Sequence, residues 1–248
     1  LHQPDVLKAE TERLLKHEKG ERFVKDFVRQ WLHLRDIDDT TPDKKLYPDF
    51  DELLQVSMVR EGEGFFRHVL DEDLPVENFL DSDFAILNER LARHYGIDGV
   101  SGLELRKVTL PADSVRGGIL TQAGVLKVTA NGTNTSPVTR GVWVLENVLG
   151  KPTPPPPANI GGIEPDIRGA TTIREQLAKH RNVQSCNSCH QYIDPPGFAL
   201  ESFDPVGKHR KNYVQFVVNP MFVEEGWGKL QQGAAESLVA ALDDVLQQ

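Results

Sequence analysis

The sequence predicts a mainly α-helical chain: a helical domain over about residues 1–98, then a second domain with a few short strands over 99–248, in which the register of 211–248 is left open. Three observations predict it. Apolar residues recur at helical spacing through the first hundred positions, and alternation is confined to a short stretch near Leu103–Leu110. A chain of 248 residues, 39% apolar and 26% charged, is also long enough to bury a sizeable core.

The first helix carries Val6, Leu7, Leu14 and Leu15 among charges. Phe23, Phe27, Trp31 and Leu34, spaced four, four and three apart, form the apolar stripe of a second. A polar, Pro-containing segment, Asp36–Tyr47, interrupts the pattern, and Leu54, Met58, Phe65, Phe66 and Val69 resume it over Leu53–Leu70. Gly62 and Gly64 weaken the middle of that helix, and Met58 reads as core. Asp81, Ser82 and Asp83 are N-cap candidates for a helix over Phe84–Tyr95 that Gly96 ends in a left-handed cap. His94 falls in its last turn, where a cation complements the helix dipole.

Leu103 and Leu105 alternate with Glu104 and Arg106 in a short strand that stops at Pro111. Gly117 and Gly118 open an apolar stretch, Ile119–Val128, and a polar loop over Asn131–Pro137 leads into a helix over Val138–Leu149 closed by Gly150. Asn131 and Asn134 each begin an Asn-X-Ser/Thr triplet, read as turn chemistry ahead of glycosylation. Pro154–Pro157 form a stiff spacer. Thr172 and Glu175 make a capping box for a helix from near Ile173 to Arg181, with Ile173, Leu177 and His180 on one face.

Composition removes several functions. With 28 Lys and Arg against 37 Asp and Glu, a net charge of −9, there is no basic stripe for nucleic acid. No apolar run approaches the roughly 18–20 residues of a membrane span, and Leu1–Glu18 is too charged for a signal peptide. Gly-rich phosphate loops, Gly-x-Ser-x-Gly elbows and His-Glu-x-x-His motifs are absent. Asp36, Asp38 and Asp39 lack the alternating ligands and glycine of a calcium loop and read as a solvated turn.

The chemistry is concentrated at the only two cysteines, in Ser185-Cys186-Asn187-Ser188-Cys189-His190. One pair cannot be a disulfide framework. A zinc site would need further ligands from far away in sequence, and a thioredoxin-like dithiol would need a βαβ context. The favoured reading, ahead of zinc and of a redox dithiol, is covalent haem c, one per chain: two thiols spaced to add across the two vinyl groups, with the adjacent imidazole placed to ligate iron. Tyr192–Phe198 is expected to be a proline-stiffened loop that turns back towards His190, so that a backbone carbonyl near Pro195 accepts the second ring N–H. Phe198, Leu200 and Phe203 would pack against the porphyrin or, equally, form ordinary core.

For the opposite face of the iron the first candidate is Met221, which follows Pro220 and lies 31 residues beyond His190. His180, His94 or no residue at all are the alternatives, with His180 also suited to a core or propionate-contacting role. Arg140, Arg168 and Arg174 are candidate partners for the propionates.

Several stretches together resemble a known family: Arg116-Gly-Gly-Ile-Leu-Thr121, Thr135 through Glu146, the proline run, Pro165-Asp-Ile-Arg-Gly169, Arg174 through His180, and Cys186 through Gly207. Phe23-Val-Lys-Asp-Phe27, Leu46 through Asp51 and Leu87 through Ile97 carry the likeness into the helical half, so that it covers about residues 5–210. The family is that of large planctomycete-type c-type cytochromes, built from consecutive domains of unknown function. The resemblance implies a helical domain followed by a cytochrome c-like haem domain, with Cys186 and Cys189 as attachment points and His190 as proximal ligand. It implies an extracytoplasmic location, because covalent haem is attached after export, and further modules on either side in a longer protein.

The function expected is one-electron transfer by a single haem within a larger exported assembly, with a redox partner that presents a basic patch to this acidic chain and binds less well in salt. The alternatives are a haem peroxidase or oxygenase with an open distal site, and a binding module in which the haem is a structural staple.

Overall fold

A computed structural model describes residues 2–154 and 184–210. Over these residues the chain is mainly α-helical, as the periodicity predicts.

Helices α1 (Pro4–Lys16) and α2 (Gly20–Trp31) follow the expected pattern, but α2 is rotated relative to its aromatic stripe. It buries Val24 and Val28, whereas Phe23 and Phe27 remain 50% and 42% exposed. The aromatic rings instead build a ladder along the flank, Phe27 at 5.2 Å from Phe66 and Trp31 at 5.5 Å from Phe79. Leu34 lies beyond α2, in a 3-10 turn over Leu34–Asp36. Trp31 Nε1 donates to the Asn147 carbonyl at 2.7 Å, tying α2 to a helix more than a hundred residues away.

Helix α3 (Glu52–Asp71) starts where the Asp51 side chain accepts the Leu54 N–H at 2.7 Å. Gly62 and Gly64 do not break it, because the Leu34 side chain packs against the first and the Ile86 side chain against the second. Close packing there offsets the roughly 1 kcal/mol that a mid-helix glycine costs. Met58 is fully buried, as expected.

The helix expected over Phe84–Tyr95 is not formed as one element. Phe84–Leu87 is a strand, β1, paired antiparallel with β2 (Arg106–Thr109) in the register Phe84↔Thr109 to Leu87↔Arg106. All four β1 residues are buried, so the strand shows no alternation to distinguish it from a helical turn. The helix proper is α4 (Glu89–Tyr95), and its N-cap is Asn88, whose Oδ1 accepts the Leu91 N–H at 3.0 Å. Asn88 outcompetes Asp81–Asp83 because its amide also donates to the buried Ser57 Oγ at 2.8 Å, which fixes it against α3. Gly96 closes α4 at φ 72°, as predicted.

Further on, a 3-10 turn (Ile119–Thr121) leads into α5 (Ala123–Val128). Asn131 Oδ1 accepts from the N–H groups of Thr133 and Asn134 at 3.0 and 2.7 Å, in keeping with turn chemistry. Helix α6 (Pro137–Asn147) is capped by Ser136 Oγ, which accepts the Thr139 N–H at 3.2 Å. Helix α7 (Gln184–Ala199) follows, while Pro155–Pro157 and the helix expected over 173–181 lie outside the described residues.

One core cluster joins Val28, Phe65 and Phe84 to Val125, Val144, Leu200 and Phe203, and a second joins Leu54, Met58 and Leu91 to Leu110 and Ala123. Both draw on residues either side of position 98, so the C-terminal segments are seated on the N-terminal helices. Among the described residues no helix is long and apolar enough to cross a membrane.

Candidate functional site

The Cys-x-x-Cys-His motif occupies the start of α7, where the i, i+3, i+4 spacing puts Cys186, Cys189 and His190 on one helical face. Cys186 is buried, Cys189 is half-buried, and both are free thiols. The His190 side chain is 15% exposed.

Tyr192–Phe198 is not the loop expected from its prolines: α7 continues through Pro195 and Pro196 to Ala199. The helix interior usually rejects proline at a cost of about 3 kcal/mol or more, since the ring displaces an N–H and crowds the carbonyl four residues back. Here those carbonyls belong to Gln191 and Tyr192, whose side chains are exposed. Packing against α6 offsets the cost. The two helices cross antiparallel with almost no gap, since a Cβ on Gly141 would overlap the Ile193 carbonyl and one on Gly197 would overlap the Pro137 carbonyl.

Continuing the helix changes the partner of His190. Its Nδ1–H donates to Asp194 Oδ1 at 2.8 Å, one turn along α7, instead of to a carbonyl near Pro195, and Pro195 itself is exposed. The Asp194 side chain is 0% exposed, so this carboxylate is held out of water directly behind the imidazole. A loop reading of 192–198 hides Asp194. A helical reading would have found it, at i+4 from the histidine.

Phe198 is buried, and Leu200 and Phe203 belong to the core. Arg140, a candidate propionate partner, is fully buried and differently employed. Its Nη1 donates to the carbonyls of Leu200 and Phe203 at 2.6 and 2.8 Å, and its Nη2 donates to that of Asp204 at 3.1 Å. The buried Glu201 carboxylate stands 3.3 Å from the same guanidinium, and the Thr135 hydroxyl donates to it at 2.7 Å. Arg140 therefore ties down the turn that follows α7, by carbonyls of residues 200, 203 and 204. Arg168, Arg174, His180 and Met221 lie outside the described residues.

His94 is not an exposed cation at a helix end. It is buried, its Nε2–H donates to the Val206 carbonyl at 2.7 Å, and burial pushes its pKa down to about 4, so the ring is neutral at pH 7. Beside it lies a cluster the sequence reading missed. The Tyr95 hydroxyl donates to Glu61 Oε2 at 2.6 Å and accepts the Ala123 N–H at 2.8 Å. The Arg116 guanidinium lies 3.6 Å from the centre of the Tyr95 ring and donates to the carbonyls of Thr121 and Gly207, each at 2.7 Å. Burial raises Glu61 to about 7, opposed by the Tyr95 hydrogen bond and the Arg116 charge. These groups join the N-terminal helices to the turn after α7. Their signal in sequence is weak, because Glu61, His94 and Arg116 each stand among other polar or glycine residues and nothing local marks them for burial.

The acidic turn at Asp36–Asp39 borders a buried lysine, since Lys127 Nζ donates to the Thr40 carbonyl at 2.9 Å and also to that of Ile37. Among the described residues no three His, Cys, Asp or Glu side chains gather as a metal cage.

Two family models match the chain in succession. Residues 1–97 match PSD4, described as a protein of unknown function (DUF1592), and residues 116–213 match PSCyt3, described likewise (DUF1588). No curated protein and no solved structure matches.

Proposed function

We propose that this chain, which carries two consecutive domains of the kind found in planctomycete-type multi-haem cytochrome proteins, is a c-type cytochrome unit for one-electron transfer. The observation that carries the reading is the donor set at the head of α7: two free thiols and a carboxylate-backed imidazole on one face. That set fits haem. The thiols of Cys186 and Cys189 would each add across one vinyl group, sulfur bonding to one carbon and the thiol hydrogen going to the other, so no oxidant or leaving group is needed. With Nδ1 of His190 engaged by Asp194, Nε2 is the nitrogen that would ligate the metal. When bound, the haem supplies a one-electron couple.

The chain's own task is to hold that face rigid. Gly141 and Gly197 seat α7 closely against α6, and Arg140 ties down the turn that follows it. The acidic surface favours a partner with a basic patch, and the site belongs outside the cytoplasm, where haem attachment takes place.

The buried carboxylate behind His190 favours a second reading, a haem peroxidase or oxygenase, because an electron-rich proximal ligand assists bond cleavage at an open distal position. The spectrum of the reduced protein with and without carbon monoxide separates the two. The carrier reading predicts little change on CO addition and reversible reduction by a mild donor, and prompt CO binding would favour the enzyme.

A further inference from the structure

We infer that Asp194 is a positioning residue that sets both the orientation and the electron-donating strength of His190, and thereby lowers the reduction potential of the haem that the proposed function assigns to this site. The inference rests on that haem reading. Four observations support it. The hydrogen bond between His190 Nδ1 and Asp194 Oδ1 is 2.8 Å long. The carboxylate is 0% exposed, so water does not screen its charge from the ring. The two side chains are one turn apart on the same helix, so their separation is set by backbone geometry and not by a flexible loop. Finally, the residue next to Asp194, Ile193, has its carbonyl pressed on Gly141, which prevents α7 from rolling and carrying the carboxylate away.

An anionic acceptor binds an N–H more strongly than a neutral carbonyl does. It draws the Nδ1 proton towards itself and leaves more electron density at Nε2, which stabilises the more positive, oxidised metal. A purely structural role for Asp194, as a bond that only stabilises α7, would leave the potential unaltered. The two roles therefore differ in what a neutral isostere does.

The test is Asp194→Asn in the exported full chain, with haem content read from the pyridine haemochrome spectrum and the midpoint measured against a mediator of fixed potential. The expected result is one haem per chain in parent and variant, with the variant's equilibrium shifted towards the reduced form by about tenfold, or about 59 mV for one electron. Asp194→Glu, which keeps the charge, should move back towards the parent value. A haem-loaded D194N with the parent potential overturns the inference and leaves the cytochrome reading standing, whereas a parent chain that takes up no covalent haem overturns both. If D194N fails to mature, the His190 Nδ1–H proton of the reduced parent protein provides the measurement. A strongly downfield, slowly exchanging resonance is expected, and exchange as fast as that of an exposed imidazole overturns the inference.

Discussion

Gly141 on α6 meets the backbone carbonyl of Ile193 on α7 so closely that no side chain fits between them. Four residues along, Gly197 meets the Pro137 carbonyl in the same way. The helix that bears the cysteines is thus registered on its neighbour by main-chain contact. Gly141→Ala should therefore cost more than the 1–3 kcal/mol typical of overpacking, because the opposing atom is backbone and cannot swing aside. Urea unfolding should show a lower midpoint with an unchanged slope, whereas a parent-like midpoint would mean that α6 and α7 are not in this contact.

Arg140, itself fully buried, holds the segment after α7 by three carbonyls and one carboxylate. Arg140→Met keeps the volume but leaves Glu201 facing Thr135 and Arg210 without this guanidinium. Breaking a buried pair in this way costs on the order of 3–5 kcal/mol. Thermal unfolding of the variant should fall well below that of the parent; a change within a degree would contradict the clamp.

Two buried groups give the chain opposed pH dependences. Glu61 titrates at about 7 in the folded chain against an ordinary 4.5, so folding takes up a proton between these values and stability falls as pH rises from about 4.5 through about 7. His94 titrates at about 4 against an ordinary 6.5, so folding releases a proton and stability falls as pH drops from about 6.5 through about 4. Glu61→Gln removes only the first effect while keeping an oxygen for the Tyr95 hydroxyl. The stability difference between E61Q and the parent should grow in favour of the variant from pH 5 to pH 8, reaching about 1–3 kcal/mol. Urea unfolding at three pH values measures it, and a difference independent of pH would contradict the buried, proton-holding state of Glu61.

Much of the scaffold was legible in the sequence because α1, α2 and α3 advertise themselves by spacing, and the Gly96 and Asn131 turns by residue chemistry. What escaped was set by tertiary contact. β1 is buried on both faces and has no alternation, so Phe84–Leu87 looked like the start of a helix. α7 runs through Pro195 and Pro196 because its partner α6 offers glycine at the crossing, information held some fifty residues upstream, at Gly141. Misreading that helix as a loop displaced the acceptor of His190 from Asp194 to a carbonyl. The motif itself, Cys186, Cys189 and His190, needed no structure to be found, since its meaning lies in local spacing.

The most direct measurement is the pyridine haemochrome spectrum and intact mass of the chain expressed with an export signal and haem-attachment machinery. Attachment through Cys186 and Cys189 predicts the mass of one haem added to the polypeptide and a c-type spectrum, both lost in C186S/C189S. A colourless, folded parent chain with both thiols free or binding zinc would contradict the account.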